Sequence, residues 1–440
     1  MSVCSLIFSI YKPYIGAMSY LVYMYLAPYI YIGGYIIYAR TIAFFFLFLY
    51  LLKFRKIVKK RDYKPLSPFL LLLLGQFCLL FTSEIFEYSF NRWLFTVSFF
   101  CFALFLFGII KSKPKTGKYF SITLFTVFCL ITGYGLYLTT MPGINPYLMF
   151  VNPVFGIEFN EAYAAGNSGL STSTDLIEGR LFGRISSVFN HPMAYGLNLG
   201  FFFIYCLYFL RKKPKVMIVV LVCIFAAILV SGVRTPIGAL GVTGLFIILY
   251  LRKFKYFIFG LIAFAVAIFG TELISAEAGE YMASIISSDD SETRGSSISM
   301  RLEQLEGCIQ IVEDNFLTGK GYGWSNWYNE TRGTHPKALW FESILFTVLV
   351  NTGILGMILW GFVIIGYYKY IVVKIKDTYT RAIFLALFLY YLVYSLITGD
   401  FGINYFLIFY VVLLGITPKI FQRQRARSKA IKQQRLIHGK

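Results

Sequence analysis

The sequence predicts an all-α polytopic membrane protein: a bundle of about 12 spans, both termini cytoplasmic, with two large extracytoplasmic loops carrying short helices. Three observations lead there. Hydrophobic residues make up 58% of the chain and charged ones 14%, with a mean hydropathy of +0.68, well away from the balance of a soluble domain. Apolar runs of roughly 20 residues, the length of a bilayer crossing, recur along the chain. Lys and Arg collect in alternate connections, as they do on the cytoplasmic side of a membrane protein.

Taken in order, the N-terminal helices occupy 1–138, with runs near 14–30, 33–52, 68–83, 93–110 and 119–138. A first large loop follows at 139–192, then central helices at 193–273 with runs near 193–210, 216–232, 237–251 and 256–273. The second large loop spans 274–339, the C-terminal helices 340–420 (runs near 340–368, 381–397 and 405–420), and a basic cytoplasmic tail 421–440. Lys12, the clusters 53–64, 111–118, 211–215, 252–255 and 369–381, and Lys419 with the tail hold 31 of the 41 Lys and Arg, all on one side of this layout, against only Asp62 and Asp377. The net charge of +20 is therefore a topology signal. It argues against nucleic acid as a partner, because anionic inner-leaflet lipids account for the tail. The first apolar run lacks a small-residue cleavage site and is expected to be an uncleaved span. Of seven cysteines only Cys308 falls in an outer loop, so no disulfide is expected there.

Long loops in a compact protein carry function. The first ends in "RLFGRISSVFNHPMAYG", which puts Arg180, Arg184 and His191 at the mouth of the next span. In the second, Leu302, Leu305, Ile309, Val312 and Phe316 recur at three- and four-residue spacing, predicting an amphipathic helix from near Arg301. "LTGKGYGWSNW" then reads as a glycine-broken turn; without a Gly-Lys-Ser/Thr ending it is not a phosphate loop.

Ions at or inside a membrane need a reason. Arg234 sits in "SGVRTPIGALGV" between two spans, and Arg40 lies a turn or two inside another. Together with Arg184 and Arg301 they suggest a bound anion of several charges, since guanidinium matches phosphate oxygens in bidentate geometry. The competing reading of Arg234 is an anchor that snorkels to the interface. Glu342 opens an apolar helix, where it suits either a general base or a helix cap. His335 and His191 are loop histidines with the same two readings, catalytic or structural. Trp324, Trp327, Tyr328 and Trp340 suit sugar stacking or an interfacial belt. No metal site is read.

These segments, with "RLEQLEGCIQIVEDNFLTGKGYGWSNW" and "ESILFTVLVNTGILG", resemble in their order the bacterial O-antigen polymerase and O-antigen ligase family over roughly residues 180 to 360. The resemblance implies a metal-independent glycosyltransferase without cofactor, at the outer face of the bacterial inner membrane. Its donor would be an oligosaccharide on polyprenyl (undecaprenyl) diphosphate, in O-antigen, lipopolysaccharide or capsule synthesis, beside a chain-length regulator and a flippase. It further implies that Arg234 and Arg184 hold the diphosphate and that Arg301 opens the loop helix. Ligases of the family carry a His at the position that falls here on Glu342, counting back from Gly353 and Gly356, with His335 seven residues earlier; the departure favours a polymerase. The rival of another class is a lipid-linked glycan flippase, against which no paired halves with broken helices are read.

Overall fold

The computed structural model describes residues 2–27, 35–58, 60–141, 145–147, 149–150, 185–189, 191–252, 298–399 and 402–417. The expected span near 256–273, Arg180, Arg184 and the basic tail lie outside the described residues. The helices are α1 (Ser2–Tyr11), α2 (Pro13–Leu26), α3 (Tyr35–Lys53), α4 (Ser67–Leu80), α5 (Phe86–Ser112), α6 (Thr116–Tyr137), α7 (Pro192–Phe209), α8 (Pro214–Val230), α9 (Arg234–Tyr250), α10 (Ile298–Ile311), α11 (Trp324–Arg332), α12 (Ile344–Lys374), α13 (Thr378–Thr398) and α14 (Ile403–Ile416). Among them, five are long and apolar enough to cross a membrane: α5, α6 with its 3-10 extension to Thr140, α7, α12 and α13. The runs expected as spans near 68–83, 216–232, 237–251 and 405–420 form apolar helices of 14, 17, 17 and 14 residues.

The described basic turns gather at one end of the bundle. Lys111 in the last turn of α5 pairs with Asp62 at 3.2 Å, Arg211 after α7 lies 4.0 Å from Asp377 before α13, and Arg381 reaches Tyr250 at the end of α9. The helices that leave this end converge on the opposite one, where the segments of the second large loop sit.

α14 is the axis of the bundle. It is apolar on every side, as only a helix enclosed by protein or lipid can be, and Phe406 through Leu414 are buried. The Phe406 ring lies 5.3–5.8 Å from the rings of Phe69, Phe388, Tyr367, Tyr391 and Tyr410. Four buried tyrosines bind helix to helix through their hydroxyls, which are shielded from water and donate to carbonyls. Tyr367 donates to Phe384 O, Tyr390 to Gly196 O, Tyr394 to Met193 O and Tyr205 to Ser121 O, at 2.7–3.2 Å.

α12 is broken at Gly353, whose φ of 60° and ψ of −160° belong to glycine alone. The break frees peptide groups in the middle of an apolar helix, and residues 316–321 satisfy them. Lys320 N–H donates to Val350 O and Gly321 N–H to Asn351 O, while Ile354 and Leu355 N–H donate to Phe316 O and Leu317 O, at 2.8–3.1 Å. The glycines of the "LTGKGYG" turn make this approach possible: a Cβ on Gly319 would lie 2.6 Å from Thr352 N.

The expected amphipathic helix forms as α10. Gln304 and Cys308, with Val312 just beyond the helix end, are buried, while Leu302, Leu305, Ile309 and the following Phe316 are 62%, 37%, 46% and 46% exposed. Gln304 Oε1 accepts from Arg301 Nη1. Burial pushes the Cys308 thiol up to about 12.

The break supports a prediction. Gly353→Ala would put its Cβ 2.5 Å from the Leu317 carbonyl, against backbone that cannot step aside. We expect a loss of about 1–3 kcal/mol, read as a lower unfolding temperature in detergent. Gly361→Ala, with open space around its Cβ, should leave that temperature unchanged or raise it slightly.

Candidate functional site

The site is built where α10, α12 and α13 meet. Ser343 caps α12: its backbone is extended and its hydroxyl accepts from Leu345 N–H at 3.3 Å. Glu342 is thereby excluded from the cap and stands one residue outside the helix, with its carboxylate turned to Arg301. Arg301 Nη2 lies 3.3 Å from Glu342 Oε2, and both side chains are partly exposed, at 24% and 32%.

Arg301 is held from several sides. Nη1 donates to Gln304 Oε1 at 3.1 Å and to Glu342 O at 2.6 Å, and Nη2 donates to Ile397 O at 3.0 Å. The last of these oxygens belongs to the final turn of α13, where carbonyls lack helical partners and the dipole favours a cation. Burial pushes the Arg301 guanidinium below its ordinary value and the Glu342 carboxylate pulls the other way; the group stays charged. Both terminal nitrogens are thus committed to protein oxygens. Gln304 is fully buried, and its Nε2 has no hydrogen-bond partner among the described residues. Sequence reasoning missed it, although its place three residues after Arg301 on one helix face was a usable signal.

The chain enters Glu342 through a tight turn. His335 Nδ1 accepts from Ala338 N–H at 3.0 Å and Lys337 N–H at 3.3 Å, and His335 and Leu339 exchange backbone hydrogen bonds. Leu339 and Phe341 take φ of 49° and 54°, a left-handed conformation costly for bulky residues. The His335 ring stands 5.2 Å from Tyr328 and 6.1 Å from Phe341. Trp324 is buried in the same cluster with Phe341, Val350 and Cys308, whereas Trp327 is half-buried at its rim.

Arg234 is the first residue of α9, whose N-cap, Val233, offers no side-chain hydrogen bond. A cationic residue thus stands at the N-terminus of a helix, where the dipole favours an anion. α9 and α13 run antiparallel, since Arg381 near the start of α13 meets Tyr250 at the end of α9. Arg234 accordingly lies at the same end of the bundle as Ile397, Arg301 and Glu342. Within the first large loop the described chain includes Ile185, whose N–H donates to Val230 O just before the Arg234 turn. His191 caps α7 at this end, its Nδ1 accepting from Met193 N–H at 3.1 Å.

The structure thus brings Arg301 and Glu342 into contact and sets Arg234 and His191 at their end of the molecule. It does not join Arg40 to them: Arg40 Nη2 donates to Asn91 Oδ1 at 2.9 Å, pinning α3 to α5. No hydrogen bond or ion pair links His335 to Glu342. No three His, Cys, Asp or Glu side chains converge on a metal position among the described residues.

The His335 turn should respond to pH. Burial lowers the pKa of His335 below 6.5, and its Nδ1 must stay unprotonated to accept the two N–H groups. The turn therefore has its full stability above about pH 6.5 and loses it as pH falls toward the lower folded value. Protection of the Lys337 and Ala338 amides in hydrogen exchange, corrected for intrinsic rates, should fall over that window and be lost at all pH in His335→Ala.

No curated protein matches the chain. Residues 218–361 match a family model described as O-antigen ligase. The matched stretch contains Arg234, Arg301, His335, Glu342 and the broken part of α12. It supports placing this membrane protein in the O-antigen polymerase and ligase family, whose members are membrane glycosyltransferase-like enzymes.

Proposed function

We propose that this protein is a polysaccharide polymerase. It moves a glycan from a polyprenyl diphosphate carrier onto a hydroxyl of a second lipid-linked repeat unit, at the outer face of the inner membrane. The observation that carries the reading is the Arg301–Glu342 contact, set at the same end as Arg234 and inside the O-antigen ligase match.

The chemistry asks for little more. The acceptor oxygen attacks the anomeric carbon, the bond from that carbon to the diphosphate oxygen breaks, and the hydroxyl proton passes to one base. Glu342 is that base. The departing diphosphate keeps the electron pair, and fixed cations stabilise its charge, so the second carboxylate of a glycoside hydrolase is unnecessary. We assign that task to Arg234, with Arg184. Arg301, whose terminal nitrogens are already committed, is a positioning residue that holds the Glu342 carboxylate and ties it to the end of α13.

A ligase reading is favoured by the description of the matching family. It shares the donor site and differs in its acceptor, a lipid A-core saccharide or other terminal hydroxyl.

Glu342→Gln should lower transfer by about 10²–10⁴-fold, the usual contribution of a positioned base, with donor binding retained. His335→Gln should keep most of the transfer; the reverse pattern would move the base to His335. Arg234→Lys, inserted and stable, should weaken donor binding. Purified protein reconstituted with a single undecaprenyl-diphosphate oligosaccharide should yield a ladder of multiples on a gel. Product formed only after a lipid A-core acceptor is added would make it a ligase. Neither product, with lipid-linked glycan moved between leaflets, would make it a flippase.

A further inference from the structure

At the basic end of the bundle, far along the helices from Glu342, α2 and the turn between α5 and α6 line an open cavity of about 650 Å³. Its lining includes Tyr14, Met18, Lys113, Pro114, Lys115 and Tyr119. That volume suits a small-molecule group. Lys113 and Lys115 are exposed, and neither Nζ has a protein partner among the described residues. Among the described residues no ion pair neutralises them: Asp62 pairs with Lys111 at 3.2 Å, and Asp377 accepts from Thr380 N–H at 3.0 Å and faces Arg211 at 4.0 Å. The first N–H groups of α6 are not the attraction, since Thr116 and Gly117 N–H already donate to Lys113 O and Pro114 O. The charge of the site is that of its two lysines.

We propose that this cavity binds the headgroup of an anionic phospholipid from the leaflet at the basic end. The walls decide between a lipid and a soluble anion. Met18, Pro114 and the Tyr rings give the cavity apolar sides, and an exposed apolar strip, Tyr119 (52%) then Ile122 (43%), leads from it along α6. A free phosphate gains nothing from such a strip, whereas an acyl chain lies along it while the phosphodiester meets the two ammonium groups. The tyrosine rings, apolar in body and polar at the tip, suit the headgroup level.

The test is native mass spectrometry of the intact protein in detergent, titrated with phosphatidylglycerol or phosphatidylcholine. Wild type should retain about one phosphatidylglycerol under conditions that strip phosphatidylcholine, and the Lys113→Gln/Lys115→Gln double variant should retain it at least about tenfold less. Lys118→Gln, on the same basic turn and outside the cavity lining, should retain it as wild type does. Equal retention by the double variant would overturn the site, and an equal fall in Lys118→Gln would replace it with diffuse surface charge. Displacement of the lipid by millimolar inorganic phosphate would overturn the lipid assignment in favour of a free anion. Unchanged unfolding temperatures of the variants establish that each comparison is made on folded protein.

Discussion

Backbone satisfaction at the break in α12 is the constraint on which the Glu342 end of this structure depends. In an apolar surrounding an unpaired peptide group costs several kcal/mol, so a helix can be interrupted only where other backbone completes its hydrogen bonds. Here that backbone is residues 316–321, which enter beside Gly353 and take up the groups of 350–355. The interruption anchors the second large loop directly into a membrane helix. Glu84 reinforces the junction: its N–H donates to Lys320 O, and its carboxylate accepts from Lys320 Nζ at 2.8 Å.

From that anchor the position of the site follows. α11 packs on α12 and on the start of α5, where Arg92 and Tyr88 hold Glu330. α10 lies against the first half of α12, so that Arg301 faces Glu342. One guanidinium then spans three elements, since its acceptors come from α10, from the entry to α12 and from the end of α13. The left-handed Leu339 and Phe341 and the His335 turn are the local cost of leading the chain into Glu342 at the required angle. Backbone strain of this kind persists where surroundings over-determine it, and it collects at functional sites. An unpaired amide on the buried Gln304 has the same character.

The molecule also separates its charges by task. At the Glu342 end Arg301 pairs with Glu342 and Arg92 with Glu330, whereas at the basic end Lys113 and Lys115 have no protein partner among the described residues and stand beside apolar walls. Fixed guanidinium groups suit a reaction in which charge must be stabilised without rearrangement; flexible ammonium groups suit fluid lipid.

Composition and spacing determined that this chain is built of apolar helices, and the run of Lys and Arg determined which described turns share an end. Arg234, Arg301 and Glu342 were legible too, because charge beside membrane helices is costly enough to stand out in one dimension. Only the tertiary structure decided that Arg301 and Glu342 touch, that Ser343 and not Glu342 caps α12, and that α10 turns Gln304 inward. The physical reason lies in what sequence patterns measure. Periodicity reports that a helix has an apolar face but not what covers it, and where lipid is as apolar as protein the two coverings look alike. The pairing at Gly353 joins residues thirty or more positions apart, and no local propensity encodes a hydrogen bond made at that distance along the chain.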